Sequence, residues 1–370
     1  MINVCIVAGA RPNFIKVAPL IRAIMKTEGM AYQLVYAGRE DDPTLEGTLF
    51  DDLQIGRPDV FLGVDSQSLN EITGQVMGAF DHYLDAFPAD TVIVVDDLAS
   101  TMAAAIVTKK RGIRLAHLVA GTRSFDIKMP KEVNRLVIDG LSDLLFTAGI
   151  SNNNITNREG AEQHRVYMVG NILIDNIRFN HSRWQRPAIM DELSLKEGEY
   201  IVFTLNRKML IDDQEKMGAL MGAMLEGMST QHDGKQIPIV APLRGKAKEV
   251  VAKLTEGCRN VMIVDSLPYL EFGYLTAHAK GIVTDSGNVA EEATFNGIPC
   301  ITLNSYTEHI ETVKTGSNVL VGEEPEKLKE AMANMLSGSW KKCGLPDRWD
   351  GRTAERIVQI LKSDDSHPES

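Results

Sequence analysis

A glycine-containing turn follows the first predicted strand and could contact a phosphate. Gly9-Ala10-Arg11-Pro12 comes directly after the apolar run Ile2–Val7. Glycine permits a tight turn, and proline suits the first position of a helix. An arginine beside the free N–H groups of a helix N-terminus is well placed to meet a phosphate. The pattern differs from GxGxxG, so it predicts no dinucleotide fingerprint, and an ordinary strand–helix turn is the alternative.

A comparable turn occurs in the second half of the chain. Thr284-Asp285-Ser286-Gly287-Asn288 lies between a predicted strand and a predicted helix, so its hydroxyl and N–H groups could bind a diphosphate. Glu291 and Glu292 follow on the first turns of that helix. One carboxylate could accept both hydroxyls of a ribose, or the two could only compensate the helix dipole. Two such turns, one in each half, suggest a bound nucleotide.

The remaining motifs exclude several kinds of chemistry. Among the eight histidines only His117 ends a predicted strand, and a hydrogen-bonded structural histidine is the simpler interpretation of it. The sequence contains no HExxH, no P-loop lysine motif and no GxSxG. We therefore predict no metal ion, no cofactor and no Ser-His-Asp hydrolase.

Short β-branched runs alternate with helix-length segments along the whole chain, and these elements must position the two turns. The first set of strands is predicted at Ile2–Val7, Gln33–Tyr36, Thr91–Val95, Arg114–His117, Asp143–Phe146 and Val166–Met168. The pattern restarts at Tyr200–Thr204 after a polar stretch. Strand–helix–strand repetition predicts an α/β fold, with a doubly wound parallel sheet in each half. Ligands bind at the carboxyl ends of such strands, so a cleft is expected there.

These patterns also predict the domain limits. Residues 1–180 form an N-terminal domain, 181–351 form a C-terminal nucleotide-binding domain, and a helix at about 352–362 returns to the first domain. The polar tail 363–370 is predicted to be disordered.

Composition narrows the class of protein. The 370 residues are 44% hydrophobic and 24% charged, and the net charge is −11. This balance argues against nucleic acid and against an anionic membrane surface as partners. Because no long apolar run and no signal peptide is seen, and four scattered cysteines suit a reducing compartment, we predict a cytoplasmic protein without a membrane span.

The order of the motifs resembles the non-hydrolysing UDP-N-acetylglucosamine 2-epimerases from residue 2 to about 362. The matching segments are Gly9 to Leu20, Arg123-Ser124-Phe125-Asp126 with Met129-Pro130 and Asn134-Arg135, Val169-Gly170-Asn171 with Ile174-Asp175, Thr284-Asp285-Ser286-Gly287, and Trp349-Asp350-Gly351. The resemblance implies a GT-B-like architecture, in which two Rossmann-like doubly wound domains face a central cleft, and a homodimer.

The resemblance further implies a ligand, a reaction and a set of site residues. UDP or a UDP-sugar is the implied ligand, and carbon 2 of the sugar is inverted: UDP leaves by elimination and is added back with the opposite proton delivery. The implied nucleotide-binding residues are Arg11, Ser286, Gly287 and Glu292, and the implied catalytic residues are Asp97, Glu132 and Arg135. Further substrate-binding candidates by motif position are Lys16, Arg123, Asn206, Arg207, Arg244 and Glu308.

Several positions depart from the family pattern. Gly-Asp-Thr reads Asp96-Asp97-Leu98, a glutamate is replaced by Val119, another by Lys131, and histidines are replaced by Asn206 and Arg244. Valine cannot exchange a proton, and asparagine cannot act as a cation. We therefore predict weak activity on unmodified UDP-N-acetylglucosamine or an altered, more acidic substrate. A non-catalytic nucleotide-sugar-binding paralogue and a glycosyltransferase-like protein are the alternatives.

Overall fold

The chain forms two compact units, each with its own parallel sheet. The computed structural model describes residues 1–229 and 237–364. Unit 1 consists of Met1–Phe179 and the residues from Asp347 onward, and unit 2 is Asn180–Pro346. The final helix of unit 1 includes residues 363 and 364 of the predicted tail, and residues 365–370 lie outside the described residues.

Unit 1 alternates strands and helices as the sequence predicts. Its strands are β1 Ile2–Ala8, β2 Met30–Tyr36, β3 Val60–Phe61, β4 Thr91–Val95, β5 Arg114–Ala120, β6 Leu144–Thr147 and β7 Val166–Met168. Its helices are α1 Arg11–Met25, α2 Leu49–Leu53, α3 Leu69–Ala86, α4 Ala99–Lys110, α5 Pro130–Leu141, α6 Ile150–Arg158, α7 Ile172–Asn180, which extends one residue into unit 2, and the C-terminal helix Thr353–Asp364.

The strand order of unit 1 fixes where its loops meet. The parallel sheet runs β3-β2-β1-β4-β5-β6-β7, so the order reverses between β1 and β4. All five residues of β4 are buried, as a strand covered on both faces requires. The carboxyl ends of β1 and β4 therefore flank the topological switch point, where open α/β sheets bind their ligands.

Unit 2 repeats the arrangement with different strands. Its strands are β8 Ile201–Phe203, β9 Ile239–Pro242, β10 Val261–Val264, β11 Gly281–Thr284, β12 Cys300–Thr302 and β13 Asn318–Leu320. Its helices are α8 Ile189–Glu192, α9 Lys208–Asp212, α10 Gln214–Ser229, α11 Gly245–Leu254, α12 Tyr269–Ala277, α13 Gly287–Asn296, α14 Glu311–Lys314 and α15 Pro325–Ser337. The C-terminal helix of unit 1 is α16.

The sheet of unit 2 also has a reversal, between β8 and β11. The order is β10-β9-β8-β11-β12-β13. Alternate residues of β8 enter different cores: Ile201 and Phe203 pack into one buried cluster, and Val202 packs into the other. Both faces of the sheet are thus covered, and the doubly wound α/β fold that the sequence predicts is confirmed.

The segment from Asp347 onward, which returns to unit 1, is held by the motif that contains Gly170 and Asp175 and by the motif that contains Trp349. Asp175 accepts hydrogen bonds from the backbone N–H groups of Thr353 and Ala354, at 3.1 and 2.8 Å, and so caps α16. Trp349 is buried, and its indole N–H donates to the carbonyl of Ala148 at 3.1 Å. A Cβ at Gly170 would collide with the backbone carbonyl of Arg348. These motifs therefore serve the fold of unit 1.

No helix within residues 1–229 and 237–364 is long and apolar enough to cross a membrane.

Candidate functional site

The switch point of unit 1 begins with the turn after β1. The side-chain oxygen of Asn13 accepts hydrogen bonds from the N–H groups of Gly9 and Ala10, at 2.8 and 3.3 Å, and so shapes the start of α1. A Cβ at Gly9 would collide with the hydroxyl of Ser100 on α4, so only glycine permits this close approach. Arg11 is the first residue of α1, one position before the proline predicted to begin this helix, and its guanidinium forms a two-bond pair with Glu46.

Asp96 follows β4 on the other side of the switch point. Its φ of +60° lies in the left-handed region, which few residues other than glycine adopt. Its carboxylate accepts hydrogen bonds from Lys16 Nζ at 2.6 Å and from Asn13 Nδ2 at 2.9 Å. Lys16, a predicted substrate-binding residue, is therefore paired with a carboxylate of the protein.

Asp97, Glu132 and Arg135 form one charged cluster, so unit 1 brings the three predicted catalytic residues together. The Arg135 guanidinium contacts Asp97 Oδ2 at 2.8 Å and Glu132 Oε2 at 3.1 Å. Arg135 and Glu132 are 2% and 3% exposed, whereas the Asp97 side chain keeps 13% of its surface accessible. Asp97 is therefore the carboxylate of this cluster that a substrate can reach.

Glu132 holds the loop that precedes α5. It accepts hydrogen bonds from Ser124 N and Oγ, both at 2.9 Å, and from Phe125 N at 3.0 Å. Burial would raise the pKa of Glu132, but these bonds and Arg135 outweigh it and hold the pKa below its ordinary value. Glu132 is therefore an ionised carboxylate that positions Arg135 and the loop.

His117 and Arg123 belong to a second buried network. His117 Nδ1 lies 2.6 Å from Asp139 Oδ1, and its Nε2 lies 2.7 Å from the carbonyl oxygen of Asp96. Arg123, predicted to bind substrate, pairs with Asp139 at 2.8 Å and with Glu159. Burial would raise the pKa of Asp139, yet His117 and Arg123 outweigh it and the pKa is lowered. The charge of the Arg123 guanidinium is therefore neutralised by two carboxylates of unit 1.

Strained backbone concentrates at this edge of the sheet. Val119 has a φ of +69° where the pairing of β5 with β6 shifts register, and Phe125 has a φ of +61°. The left-handed region is a genuine outlier for a β-branched residue. The Phe125 side chain is 76% exposed, so it packs against little of its own chain.

The switch point of unit 2 carries the predicted diphosphate turn. Ser286 is the N-cap of α13, Gly287 is its first residue, and Ser286 N donates to Thr284 Oγ1 at 3.0 Å. A Cβ on Gly287 would lie 3.5 Å from Glu308 Oε2, so Glu308 lies beside the first turn of α13. Ser286, Gly287 and Glu308 are thus brought together.

The two carboxylates of α13 differ in environment. Glu291 is buried, with its Oε1 at 3.6 Å from Nε2 of the buried His309. Glu292 is only partly buried. Glu292 is therefore the more accessible of the two carboxylates considered for a ribose.

Asp285 connects the ends of β11 and β8. Its carboxylate accepts hydrogen bonds from the backbone N–H groups of Asn206 at 2.8 Å and Arg207 at 2.6 Å. The Asn206 side chain is exposed, while Arg207 donates to the carbonyl of Leu303 at 2.8 Å and pairs with Glu323 at 2.7 Å. Arg244 is the exposed N-cap residue of α11.

Sequence reasoning missed the partners that hold these side chains, namely Asp139 and the pairing of Asp96 with Lys16. A usable signal was present for Asp139: Glu132, Arg135 and Asp139 are spaced so that they share one face of α5. In the described ranges 1–229 and 237–364 no group of three or more His, Cys, Asp or Glu residues could hold a metal ion.

Comparison with known proteins identifies relatives over nearly the full chain. A family model described as UDP-N-acetylglucosamine 2-epimerase matches residues 22–362. The UDP-N-acetylglucosamine 2-epimerase of Methanocaldococcus jannaschii is 32% identical over 96% of this chain and 98% of its own. The UDP-2,3-diacetamido-2,3-dideoxy-D-glucuronate 2-epimerase of Pseudomonas aeruginosa is 30% identical, over 96% of this chain and 98% of its own.

Solved structures show the same likeness. The M. jannaschii enzyme in complex with UDP-GlcNAc and UDP superposes with a TM-score of 0.86 at 30% identity, covering 98% of this chain and 100% of that one. The Neisseria meningitidis enzyme bound to UDP-GlcNAc has a TM-score of 0.88 at 24% identity, covering 98% of this chain and 100% of that one, which shows the fold. The predicted GT-B-like class, with two Rossmann-like sheets, is confirmed.

Proposed function

The chain belongs to the UDP-N-acetylglucosamine 2-epimerase family, and on that premise we propose that it inverts carbon 2 of a UDP-linked 2-acetamido sugar. The observation that carries the proposal is the accessible carboxylate of Asp97, which the buried Arg135 holds at the carboxyl edge of a doubly wound sheet. A non-catalytic role is not favoured, because the relatives that match over nearly the full chain are named as epimerases.

The nucleotide-binding part of the proposal rests on unit 2. The N-terminus of α13 offers backbone N–H groups and a positive dipole end to a diphosphate, at Ser286 and Gly287. The partly buried Glu292 accepts hydrogen bonds from the ribose hydroxyls. Asn206, Arg207, Arg244 and Glu308 remain substrate-binding candidates of this unit.

The chemical part of the proposal rests on unit 1. A carboxylate removes the proton from carbon 2, the bond between carbon 1 and the UDP oxygen breaks, and UDP leaves with that electron pair. Re-addition forms the carbon 1–oxygen bond again, while an acid returns a proton to carbon 2 on the opposite face. Asp97 serves as one proton-handling group, and Arg11 and Lys16 remain candidates for stabilising the departing anion.

We expect slow turnover on unmodified UDP-N-acetylglucosamine, with a kcat below about 1 s⁻¹, which is the lower end of ordinary enzyme rates. Val119 and Asn206 cannot exchange protons at neutral pH, and Lys131 places an ammonium 3.8 Å from Asp97. The Lys131 side chain is 58% exposed and could pair with a carboxylate on the sugar. A UDP-linked uronate is therefore the second candidate substrate, in line with the name of the P. aeruginosa relative.

The test is to incubate the protein with UDP-N-acetylglucosamine in deuterated water and to follow carbon 2 by NMR. We expect the carbon-bound proton to be replaced by deuterium and the manno epimer to accumulate. UDP binding without exchange on either the acetamido sugar or its uronate would contradict the proposed reaction. Failure to bind UDP at all would also remove the nucleotide-sugar role.

We further propose a homodimer formed through unit 1. Helix α5 buries the polar side chains of Glu132, Asn134, Arg135 and Asp139 and leaves Val133 and Leu136 exposed by 42% and 38%. The loop before this helix also exposes two large apolar residues, Phe125 and Ile127. An apolar surface of this kind is typical of an interface. Light scattering should give twice the chain mass of 40.8 kDa, and Leu136→Glu should shift the protein toward the monomer. A wild-type monomer at micromolar concentration would contradict this proposal.

A further inference from the structure

We propose that Asp96 is the second proton-handling catalytic residue of this protein and supplies the carboxylate that the valine at position 119 lacks. This inference rests on the proposed epimerase function and assigns a residue to it. Inversion at carbon 2 needs proton transfer on both faces of the sugar, so a single carboxylate at Asp97 is not sufficient.

The strand register places Asp96 opposite Val119. In the parallel pair of β4 and β5, Val95 lies across from Leu118, and Asp96 N donates to the carbonyl of Leu118 at 3.3 Å. At the carboxyl edge of the sheet, the apolar residue Val119 on β5 therefore lies beside Asp96, which carries a carboxylate at the end of the neighbouring strand β4. Asp96 also follows β4 at the reversal between β1 and β4, the position where such sheets bind ligands.

The conformation of Asp96 is unusual and is fixed from several sides. Its left-handed backbone is held by the contact of His117 Nε2 with its carbonyl at 2.7 Å. Its carboxylate is held by Lys16 at 2.6 Å and Asn13 at 2.9 Å, yet 16% of the side chain stays accessible. A strained residue that its surroundings over-determine is typical of a functional site.

Asp96 and Asp97 are held from opposite faces of the sheet. Asp96 pairs with Lys16 on α1, and Asp97 pairs with Arg135 on α5. The connections β1–α1–β2 and β5–α5–β6 run in opposite directions along the sheet, so right-handed crossovers place α1 and α5 on opposite faces. A sugar above this edge would therefore have one carboxylate on each side.

With two carboxylates, each proton that leaves or reaches carbon 2 has a donor or an acceptor. In one direction the first carboxylate takes the proton of carbon 2 as UDP leaves, and the second, carrying a proton, gives it to carbon 2 as UDP returns. The first group then loses its proton to water and the second regains one, since both side chains are partly accessible. The product must therefore acquire deuterium from deuterated water.

The experiment compares Asp96→Asn with Asp90→Asn, the same change at the amino end of the same strand. Asp96→Asn keeps the size of the side chain and an oxygen for Lys16, and it replaces the oxygen that accepts from Asn13 Nδ2 by an NH2 group. It should lower kcat by about 10²–10⁴-fold and leave UDP affinity within about threefold. Carbon 2 exchange should persist from one epimer only. Asp90→Asn should match the wild type.

A transfer of the carboxylate provides the second test. Asp96→Gly fits the positive φ and should be as inactive as Asp96→Asn, while Asp96→Gly with Val119→Glu should recover at least tenfold. Wild-type kcat in Asp96→Asn, or equal losses of kcat and UDP affinity, would overturn the role of Asp96 and leave the epimerase proposal standing. A wild-type protein that binds UDP-sugars without exchange would overturn both.

Discussion

The two units place polar side chains at equivalent points of their sheets but hold them in different ways. At the carboxyl edge of the sheet of unit 1, Asp96, Val119 and Phe125 have positive φ values, and Arg135 is buried with the carboxylate of Glu132. Among the described residues of unit 2, only Ser194 is a non-glycine residue with a positive φ. The difference indicates that the fixed arrangement of charges in unit 1 lowers the stability of its fold through backbone strain. In unit 2 the accessible polar groups lie on a turn without such strain.

The largest expected effect comes from the buried arginine of unit 1. Arg135→Met should lower the free energy of unfolding by about 3–5 kcal/mol, because Glu132 and Asp97 then lose their cation in a buried environment. Urea denaturation measures this change. The exposed Arg244→Met of unit 2 is the control and should stay within about 0.5 kcal/mol. Equal effects of the two substitutions would contradict the comparison.

Asp175 is a buried carboxylate of unit 1 that accepts hydrogen bonds from backbone N–H groups, and its contribution to stability should change with pH in the opposite direction to that of a carboxylate in a salt bridge. Burial raises the pKa of Asp175 to about 6, despite its bonds to Ala354 and Thr353. The folded state then holds a proton that the unfolded state has released, so wild-type stability falls as pH rises from about 4 to about 6, by up to about 3 kcal/mol. Asp175→Asn should remove this fall, as measured by unfolding at each pH.

Asp350 supplies a comparison for this experiment, and its charge is also one of the causes that raise the pKa of Asp175. Its hydrogen bond with Arg356 lowers the pKa of the carboxyl. The stabilisation from this pair is present above pH 4 and is lost as pH falls through the lowered pKa. Asp350→Asn should therefore change the pH dependence with the opposite sign, and the same sign for both variants would refute the assignment.

In unit 2 we expect a loss of binding without a loss of stability. Glu292→Ala should weaken UDP binding by about 1.5–3 kcal/mol, because a charge-assisted bond to the ribose is lost. Calorimetry measures the affinity, and the exposed Glu326→Ala on α15 is the matched control. Unchanged affinity in Glu292→Ala would remove Glu292 from the site.

The smallest expected effect tests the backbone strain itself. Val119→Gly should raise the free energy of unfolding by about 0.5–1 kcal/mol, since glycine adopts the φ of +69° without a steric cost. Val95→Gly, at the buried last residue of β4, should lower the free energy of unfolding instead. Destabilisation by Val119→Gly would show that this backbone is not strained.

Strong periodicity made most of the fold predictable. The limits of β4 and β7 agree with the predicted strands Thr91–Val95 and Val166–Met168, because each run is short, begins with a β-branched residue and is followed by a helix-like segment. The two-residue strand β3 and the helix α6 were missed. Helix α6 reads Ile-Ser-Asn-Asn-Asn-Ile-Thr-Asn-Arg, which has too few apolar residues to show a helical period.

The site was predictable where one segment carries it and unpredictable where distant segments meet. Ser286 and Gly287 lie at a helix N-terminus as their turn predicts. The pairing of Lys16 with Asp96 joins positions 80 residues apart, and it depends on β1 lying next to β4. Periodicity predicts which segments are strands but not their order in a sheet, so this pair could not be derived.

The return of α16 to unit 1 has a consequence for folding during synthesis. The helix packs against α1, and its N-terminus is capped by Asp175, which is made 178 residues before Thr353. A nascent chain can therefore bury the remaining surface of its first-made unit only after all of unit 2 has left the ribosome. Until then the side of α1 that α16 covers is available to chaperones, whereas unit 2 is continuous and can fold as soon as it emerges.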